Sequence, residues 1–486
     1  MPANAQILPA NLPDTDPAGP CTGNQEANAQ SAQPRPILTS QNRNTMQIKA
    51  PDRKGTLADL SATELVELLS KRQCSSEEIV TSCLERIETH EPSIRAFVDV
   101  KGEAALDQAR SCDRTKPLGP LHGIPIAIKD TIDAGGFRCT WGTPIHNKRT
   151  PANDAAVVAA LRAAGAIVIG TTVSTEYAIA RSGPTRNPHD ISRTSGGSSS
   201  GSAAAVAAHM VPLAIATQTL GSIVRPSIYC GVLGLKPTYG LLSTVGMMPL
   251  SKSCDHVGPM ARSVADIALA LRVMGGSNYP TAEPKNTGMP DGPASKVEVL
   301  RIEGPFADRI EEATARALDR AQLALETLGC RVRTVELPER FARLQDCFEA
   351  IVFRDMAEGH GGDHDRFPEL VSPRFREVIA HGRNTSIATY QRAFDDAAYF
   401  RGHILGLLQP GSIILAPATD GVAPPFADLT GSQMLQSLWS VVGMPTMAVP
   451  CGRVDGLPIG VQLVAAPNRE QFLLDISDLL LISARA

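Results

Sequence analysis

The chain has 486 residues, which is long enough for one large domain or for two to three ordinary ones. Apolar residues make up 43% and charged residues 20%, a composition typical of globular proteins and not of disordered or fibrous ones. The 46 basic and 50 acidic residues leave a net charge of −4, so the chain has no basic excess that would attract nucleic acid or an anionic membrane.

The ten cysteines form no CxxC pair and no Cys/His cluster at metal-ligand spacing. In a chain of this size, such scatter indicates buried, reduced thiols and not a disulfide framework or a zinc site. No apolar run reaches the ~18 residues of a membrane-spanning helix. The N-terminus lacks the basic start and apolar core of a signal peptide. We therefore expect a cytoplasmic protein.

The first 50 residues are rich in Pro, Asn, Gln, Ala and Thr and show no apolar periodicity. Such a composition cannot offset the entropy lost on ordering, so we expect a disordered tail over 1–50 and one folded domain over 51–486. Within the domain, Ser61-Ala62-Thr63-Glu64 and Ser75-Ser76-Glu77-Glu78 match the capping box. Each predicts the start of an amphipathic helix.

After these helices, strand and helix patterns alternate along the chain. The apolar periodicity predicts strands over 96–100, 123–130, 166–170, 297–302, 331–335, 413–416, 446–450 and 459–464. It predicts further helices over 104–110, 154–164 and 311–328. This alternation predicts an α/β fold. The polar segment 276–296 is either a long surface loop or a boundary between two halves.

The stretch 196–238 combines many Gly and Ser residues with apolar runs, which a flexible linker would not contain. Its Gly197-Ser198-Ser199-Ser200-Gly201 fits a nucleophile elbow centred on Ser199. That motif needs an apolar strand before it, whereas residues 193–196 are polar and loop-like. A phosphate cradle ahead of a helix over 202–209 is a second hypothesis, but the P-loop pattern is absent and Pro237 follows Lys236.

A third hypothesis pairs serines of this stretch with Lys129. A serine hydroxyl is a poor nucleophile until a base takes its proton, and lysine can be that base when desolvation lowers its pKa. Lys129 ends an apolar strand, where an ammonium group would lose solvation. A lysine at a strand end is more often a solvated cap, so the residues alone leave both roles open.

Several motifs in chain order carry a resemblance to the amidase signature family. They are the strand 121–130, Gly183-Pro184-Thr185-Arg186-Asn187-Pro188, the stretch 196–238, the segment 253–259 and Val442-Gly443-Met444-Pro445. The chain resembles that family from about residue 55 to its C-terminus. The resemblance implies one α/β domain with a large, mixed, twisted sheet covered by helices on both faces. It also implies amide chemistry with no metal or organic cofactor.

Carried over residue by residue, the resemblance implies a Ser-Ser-Lys triad. Ser222 matches the nucleophile, Ser198 matches the bridging serine that follows a cis peptide at Gly197, and Lys129 matches the base. The oxyanion hole would be formed by the backbone amides of Thr219, Leu220, Gly221 and Ser222. Each donor in such a hole typically contributes about 3 kcal/mol to transition-state stabilisation.

Two departures from the family pattern stand out. Many members, including the subunits of amidotransferases that act on misacylated tRNA, read TDTGGSIR, whereas Gln218 replaces the Asp here and the arginine moves one place on to Arg225. This pattern resembles the malonamidase-like branch that hydrolyses small amides, and it makes Arg225 a candidate anchor for a substrate carboxylate. A structural role for Arg225 is equally open. Leu220 replaces a glycine, which would restrict the pocket to small or flat substrates, or strain the loop if φ must be positive.

The sequence thus predicts an amidohydrolase that cleaves a C–N amide bond through a seryl acyl-enzyme, with esters and carbamates as open substrates. The expected partner is a small-molecule amide, without nucleic acid or membrane, and a homodimer is one arrangement open to the chain. An amidase-like subunit of a tRNA-dependent amidotransferase is an alternative, although it would need a partner and an ammonia tunnel. A catalytically silent binding protein is another, if Leu220 collapses the oxyanion hole.

Overall fold

The computed structural model describes residues 56–179, 181–276, 297–302, 304, 307–427 and 429–485. The predicted tail 1–50 and residues 277–296 of the undecided segment lie outside these ranges. The remaining residues allow the predicted elements to be compared with the observed ones.

Both capping boxes begin helices, as predicted. In α1 (Ala62–Ser70) the Ser61 hydroxyl accepts from the amide of Glu64, and the Glu64 carboxylate accepts from the amide of Ser61. The same two reciprocal hydrogen bonds, here between Ser75 and Glu78, begin α2 (Ser76–Ile94). Each pair satisfies two amides that the first helical turn leaves without partners.

The described residues form thirteen α-helices and thirteen β-strands. The helices after α2 are α3 (Gly102–Arg114), α4 (Ala156–Ala163), α5 (Ser200–Ala207), α6 (Val224–Cys230), α7 (Val264–Gly275), α8 (Glu312–Thr327), α9 (Leu344–Arg366), α10 (Pro373–Asn384), α11 (Ile387–Leu407), α12 (Met434–Val441) and α13 (Glu470–Arg485). The strands are β1 (Phe97–Val100), β2 (Pro125–Lys129), β3 (Ile167–Thr172), β4 (Arg186–Asn187), β5 (Asp190–Thr194), β6 (Leu213–Gln218), β7 (Leu233–Lys236), β8 (His256–Ala261), β9 (Glu298–Ile302), β10 (Arg331–Val335), β11 (Ser412–Pro417), β12 (Thr446–Val454) and β13 (Leu457–Val464).

Eleven strands form one mixed sheet in the order β1-β3-β2-β6-β8-β7-β12-β13-β11-β9-β10. Strands β3, β2 and β6 are parallel to one another, as are β11, β9 and β10, while the strands between these two sets pair antiparallel. Helices cover both faces of this sheet. The predicted α/β fold with a large mixed sheet is confirmed.

The side chains of β2 alternate between two apolar clusters on opposite faces of the sheet. Ile126 and Ile128 belong to one cluster, and Ala127 belongs to the other, together with the small residues of α5. Because side chains alternate along a strand, Lys129 lies on the same face as Ala127. The strand therefore directs its terminal lysine towards the face on which α5 packs.

Two local predictions need correction. The helix predicted over 104–110 extends over Gly102–Arg114. Arg193 and Thr194 are not in a loop but end β5, which pairs with β4 in a separate two-stranded sheet. The strand is polar because it lies outside the central sheet, so it gives no apolar periodicity to detect. Among the described residues, no helix combines the length and the apolar character needed to cross a membrane.

Gly201 lies where α5 meets the backbone of two other segments. A Cβ atom at this position would lie 2.1 Å from the Ala96 carbonyl oxygen and 2.4 Å from the Val173 nitrogen. We expect Gly201→Ala to lower the free energy of unfolding by about 1–3 kcal/mol, because backbone atoms cannot move aside easily. Denaturant unfolding measures this.

Gly402 in α11 provides the matched control, since a Cβ there meets no atom within 4 Å. Gly402→Ala should be neutral or stabilising by up to ~1 kcal/mol because alanine favours the helix. Equal stability of the two variants would contradict the tight packing of α5.

Candidate active site

Lys129 is completely buried, and its amine lies at the centre of the predicted site. The Nζ atom donates to the Ser198 hydroxyl at 2.7 Å and to the Thr217 hydroxyl at 2.8 Å. Burial holds the pKa of Lys129 well below its ordinary value, and Arg225 lowers it further, although Asp130 and Asp255 act in the opposite direction. Desolvation thus favours the neutral amine, which is the form that can accept a proton.

Ser198 is held in place through its backbone. The Gly197–Ser198 peptide bond is cis, as the resemblance implies. The carbonyl of Gly197 accepts from Arg225 Nη2 at 2.7 Å, and the carbonyl of Ser198 accepts from the amide of Thr175 at 3.2 Å. These bonds fix the position of the hydroxyl that contacts Lys129.

Ser222 lies in the connection between β6 and α6. Its carbonyl accepts from the amide of Ser199 at 3.3 Å, which brings the nucleophile segment against the loop that carries Ser198. In the described part of the chain, no hydrogen bond joins the Ser222 and Ser198 hydroxyls. Catalytic hydrogen bonds are often long in a free enzyme and shorten when substrate binds, so this geometry is compatible with a relay.

The amides of residues 219–222 are available as donors. Across the described ranges, none of these four amides donates to a protein acceptor, and all four residues are buried. The Thr219 hydroxyl donates to Asp255 at 2.6 Å, which anchors the start of the segment. Burial raises the pKa of Asp255 to about 6, against the opposing effect of its hydrogen bonds from Thr219, Leu250 and Ser251. The segment thus offers donors in a low-dielectric environment, as an oxyanion hole requires.

Gln218 fixes the backbone on both sides of Ser222, and the sequence does not reveal this role. Its Oε1 accepts from the amides of Ile223 and Val224 at 2.8 and 3.0 Å, at the start of α6. Its Nε2 donates to the Ser440 hydroxyl at 3.0 Å, and this hydroxyl donates to the Leu220 carbonyl at 2.8 Å. An aspartate here could accept from the amides but could not donate to Ser440.

Leu220 does not strain the segment. Its φ is not positive, so the backbone avoids the left-handed region in which a leucine would be strained. The side chain is 3% exposed and belongs to the apolar cluster that contains Tyr177, Met248 and Leu250. The neighbouring Gly221 has no room for a side chain, because a Cβ there would lie 2.3 Å from Gln436 Oε1.

Arg225 is buried and contacts the loop before Ser198. Besides Gly197, its guanidinium donates to the Gly431 carbonyl at 2.9 Å and to the Thr430 hydroxyl at 3.1 Å. Its Nε has no partner among the described residues. These contacts correspond to the structural role that the sequence leaves open, and binding of a substrate carboxylate stays a prediction.

The other candidates have different surroundings. Ser199, the centre of the elbow hypothesis, donates its hydroxyl to the Thr217 carbonyl at 3.2 Å. The described residues contain no group of three or more His, Cys, Asp or Glu side chains that could hold a metal ion. The nine described cysteines are all free thiols.

Comparisons with known proteins identify the family of the chain. The amidase family model matches residues 78–474, so the chain belongs to the amidase family. A curated relative, the A subunit of the glutamyl-tRNA(Gln) amidotransferase of Carboxydothermus hydrogenoformans, is 33% identical over 86% of this chain and 96% of its own length.

Two solved structures share the fold. The native peptide amidase from Stenotrophomonas maltophilia has a TM-score of 0.74 and 30% identity, and the match covers 88% of this chain and 98% of that one. A structure described as a vestigial protein complex that reveals the evolutionary origins of an s-triazine catabolic enzyme has a TM-score of 0.78 and 31% identity, with 87% and 98% covered. Relatives from several bacteria carry the amidotransferase name, which favours that branch over the predicted closeness to the small-amide branch.

The Gln218–Ser440–Leu220 chain of hydrogen bonds generates a prediction. Ser440→Ala removes the donor to the Leu220 carbonyl and the acceptor for Gln218 Nε2, so residues 219–222 lose the hydrogen bonds that support them. We expect kcat for amide hydrolysis to fall about tenfold, with a smaller change in KM, because the oxyanion forms only in the transition state. Steady-state kinetics on a small amide measures both constants.

Ser437 on the same helix is the matched control. Its hydroxyl donates to the Gln433 carbonyl at 2.7 Å, close to its own position in the chain. Ser437→Ala should therefore leave kcat near the wild-type value. Equal losses in the two variants would indicate a general effect on α12 and not support of the oxyanion segment.

Proposed function

We propose that the chain cleaves amide bonds through an acyl-enzyme on Ser222. The observation that carries this proposal is the hydrogen bond between the buried Lys129 amine and the Ser198 hydroxyl, next to four amides without acceptors. A buried amine beside a serine relay is a base that can activate a second serine. The free amides supply the stabilisation that a tetrahedral intermediate needs.

In the acylation step, Ser222 Oγ forms a bond to the carbonyl carbon of the amide. The Ser222 proton passes to Ser198, whose own proton passes to Lys129. The carbonyl oxygen becomes an oxyanion that accepts from the amides of residues 219–222. The proton then returns through Ser198 to the leaving nitrogen, the C–N bond breaks, and the amine departs.

In the deacylation step, water takes the place of the amine. The same relay removes a proton from the water, whose oxygen bonds to the acyl carbon. The Ser222 ester bond then breaks, and its oxygen regains the proton. The products are the carboxylic acid and the free enzyme, so the cycle needs no cofactor.

The burial of Leu220 and the crowding at Gly221 support a narrow site for the carbonyl. We therefore propose small or flat amides as substrates, with esters and carbamates as weaker candidates. Arg225 as an anchor for a substrate carboxylate remains part of this proposal.

A second candidate function is that of the A subunit in an amidotransferase. It is favoured by the relatives of that name, of which the chain covers 95–96% of the length. In this case the amine released at Ser222 would be ammonia for a partner protein. An isolated chain that turns over small amides favours the hydrolase, whereas turnover only with a co-purifying second protein favours the amidotransferase.

The nucleophile assignment predicts which serine reacts with a fluorophosphonate. Wild-type protein should be labelled on Ser222, and Ser222→Ala should lose both labelling and amide turnover, by at least about 10³-fold in kcat. Mass spectrometry of the labelled peptide and kinetics measure these effects. Ser199→Ala, which changes a neighbouring hydroxyl that bonds to the Thr217 carbonyl, is the control and should retain labelling.

The lysine base predicts the pH dependence. Because the pKa of Lys129 is lowered, the amine is neutral above that pKa and active there, and kcat/KM should fall as the pH drops through it. Lys129→Arg should be inactive at every pH, since a guanidinium stays protonated.

Lys236 is the control for this profile, because it is a second buried lysine whose pKa burial lowers to about 7. The acid limb should persist in Lys236→Met. A rate that stays flat down to pH 5 in the wild type would exclude a lysine base.

A further inference from the structure

The carboxylate of Asp363 contacts Tyr177 and His146, whose rings pack with those of Trp141 and His360. The ring centroids of Trp141, His146 and Tyr177 lie 4.5 to 6.5 Å from one another, and His360 lies 5.1 Å from Tyr177. Asp363 Oδ2 accepts from the Tyr177 hydroxyl at 2.7 Å and is 3.0 Å from His146 Nε2. We call these five residues the Asp363 cage.

The Asp363 cage is attached to the triad through the backbone. The amide of Trp141 donates to the carbonyl of Asp130, the residue that follows the base, at 3.1 Å. The amide of Tyr177 donates to the Trp141 carbonyl at 2.8 Å, and two residues earlier the amide of Thr175 donates to Ser198. Two residues of chain span at most about 7 Å. The backbone of Trp141 and Tyr177 therefore lies beside the site.

The backbone of the cage is strained where it approaches the triad. Trp141, Tyr177 and Ala178 have φ values of 56°, 46° and 58°, and they are three of the eight non-glycine residues with positive φ in the described ranges. Side chains with a Cβ avoid this region, so the surrounding contacts must hold it. Such strain concentrates at ligand-binding sites.

One oxygen of Asp363 is open. The Oδ1 atom has no hydrogen-bond partner in the described part of the chain, and the side chain is 27% exposed. Burial, followed by Asp363, raises the pKa of Tyr177, so the phenol is a neutral donor. The Arg149 guanidinium already lies over the Trp141 ring at 4.8 Å, and the Tyr177 ring stacks on Phe375 at 4.4 Å. The carboxylate oxygen is therefore the group that is left to receive a ligand.

We propose that the Asp363 cage binds a cationic group, an ammonium or a guanidinium, carried by the amide substrate. An open carboxylate oxygen accepts a charge-assisted hydrogen bond from such a cation. This inference rests on the proposed amide hydrolysis and adds a substrate class to it.

The test compares two amides of equal size, 5-aminopentanamide and hexanamide, at about pH 8, where a free imidazole is neutral. Wild-type kcat/KM should favour the cationic amide by about tenfold or more, through KM. In Asp363→Asn the ratio should fall towards one. A wild-type ratio near one, or a preference that Asp363→Asn retains, would overturn the proposal.

Asp365→Asn is the matched control, because Asp365 lies on the same helix and pairs with Arg383 at 2.7 Å. It should keep the wild-type ratio. Tyr177→Phe leaves the carboxylate in place and should keep the preference for the cation, which separates loss of charge from loss of packing. Thermal unfolding of each variant shows whether it folds.

Direct binding separates this inference from the proposed function. Butylammonium should bind to Ser222→Ala in calorimetry, and binding should weaken about tenfold or more in Ser222→Ala combined with Asp363→Asn. If butylammonium binds but the wild-type protein turns over no amide, the Asp363 cage is confirmed as a cation site and the proposed hydrolase function is wrong. If both amides are turned over but butylammonium does not bind, the cation site is wrong and the proposed hydrolase function stands.

Discussion

The site depends on a lysine amine placed inside a dry protein interior. Burying an ammonium group is expensive, so the fold favours the neutral form of Lys129, and this form is the base that serine chemistry needs. Asp130 and Asp255 act in the opposite direction, but burial has the larger effect. The small side chains of Ala127 and of α5 permit close packing on this face and keep water away from the amine. The apolar surroundings of Lys129 are thus part of the proposed mechanism.

The polar groups around the proposed triad hold the loops that carry it. Arg225 bonds to the carbonyl of Gly197, Asp255 holds Thr219, and Gln218 holds the residues on both sides of Ser222. A buried polar group without a partner costs more than a satisfied one contributes, so each of these side chains specifies one loop geometry. Loops from distant parts of the chain can therefore converge with the accuracy that an oxyanion hole requires.

The sequence predicts this fold well where the signal is local. Capping boxes mark the first helices because their hydrogen bonds join residues three apart, and apolar strands such as β2 are visible from their own composition. Lys129, Ser198 and Ser222 are predicted as a triad from the resemblance to the amidase signature family, since no periodicity links them. The structure places the first two in contact.

The contacts that the sequence could not predict are long-range and between side chains. Gln218 and Ser440 are separated by 222 positions, and Tyr177 and Asp363 by 186. In the sequence, Gln218 stands out only as a departure from a family pattern, because its partners become visible only when β6 and α12 are in place. The polar strand β5 escapes prediction for a different reason, since it pairs outside the apolar core.

Gln218 stands where many members of the family have an aspartate, and this difference affects how well the site can stabilise an oxyanion. An aspartate at this end of β6 would accept from the same amides at the start of α6, but its negative charge would stand next in the chain to the amides that we propose receive the developing oxyanion. In a buried site, where screening by water is weak, that charge would oppose the transition state. Gln218 provides the same acceptor without the charge and adds a donor to Ser440. The residue that departs from the family pattern therefore holds the same loop and suits the proposed chemistry at a smaller electrostatic cost.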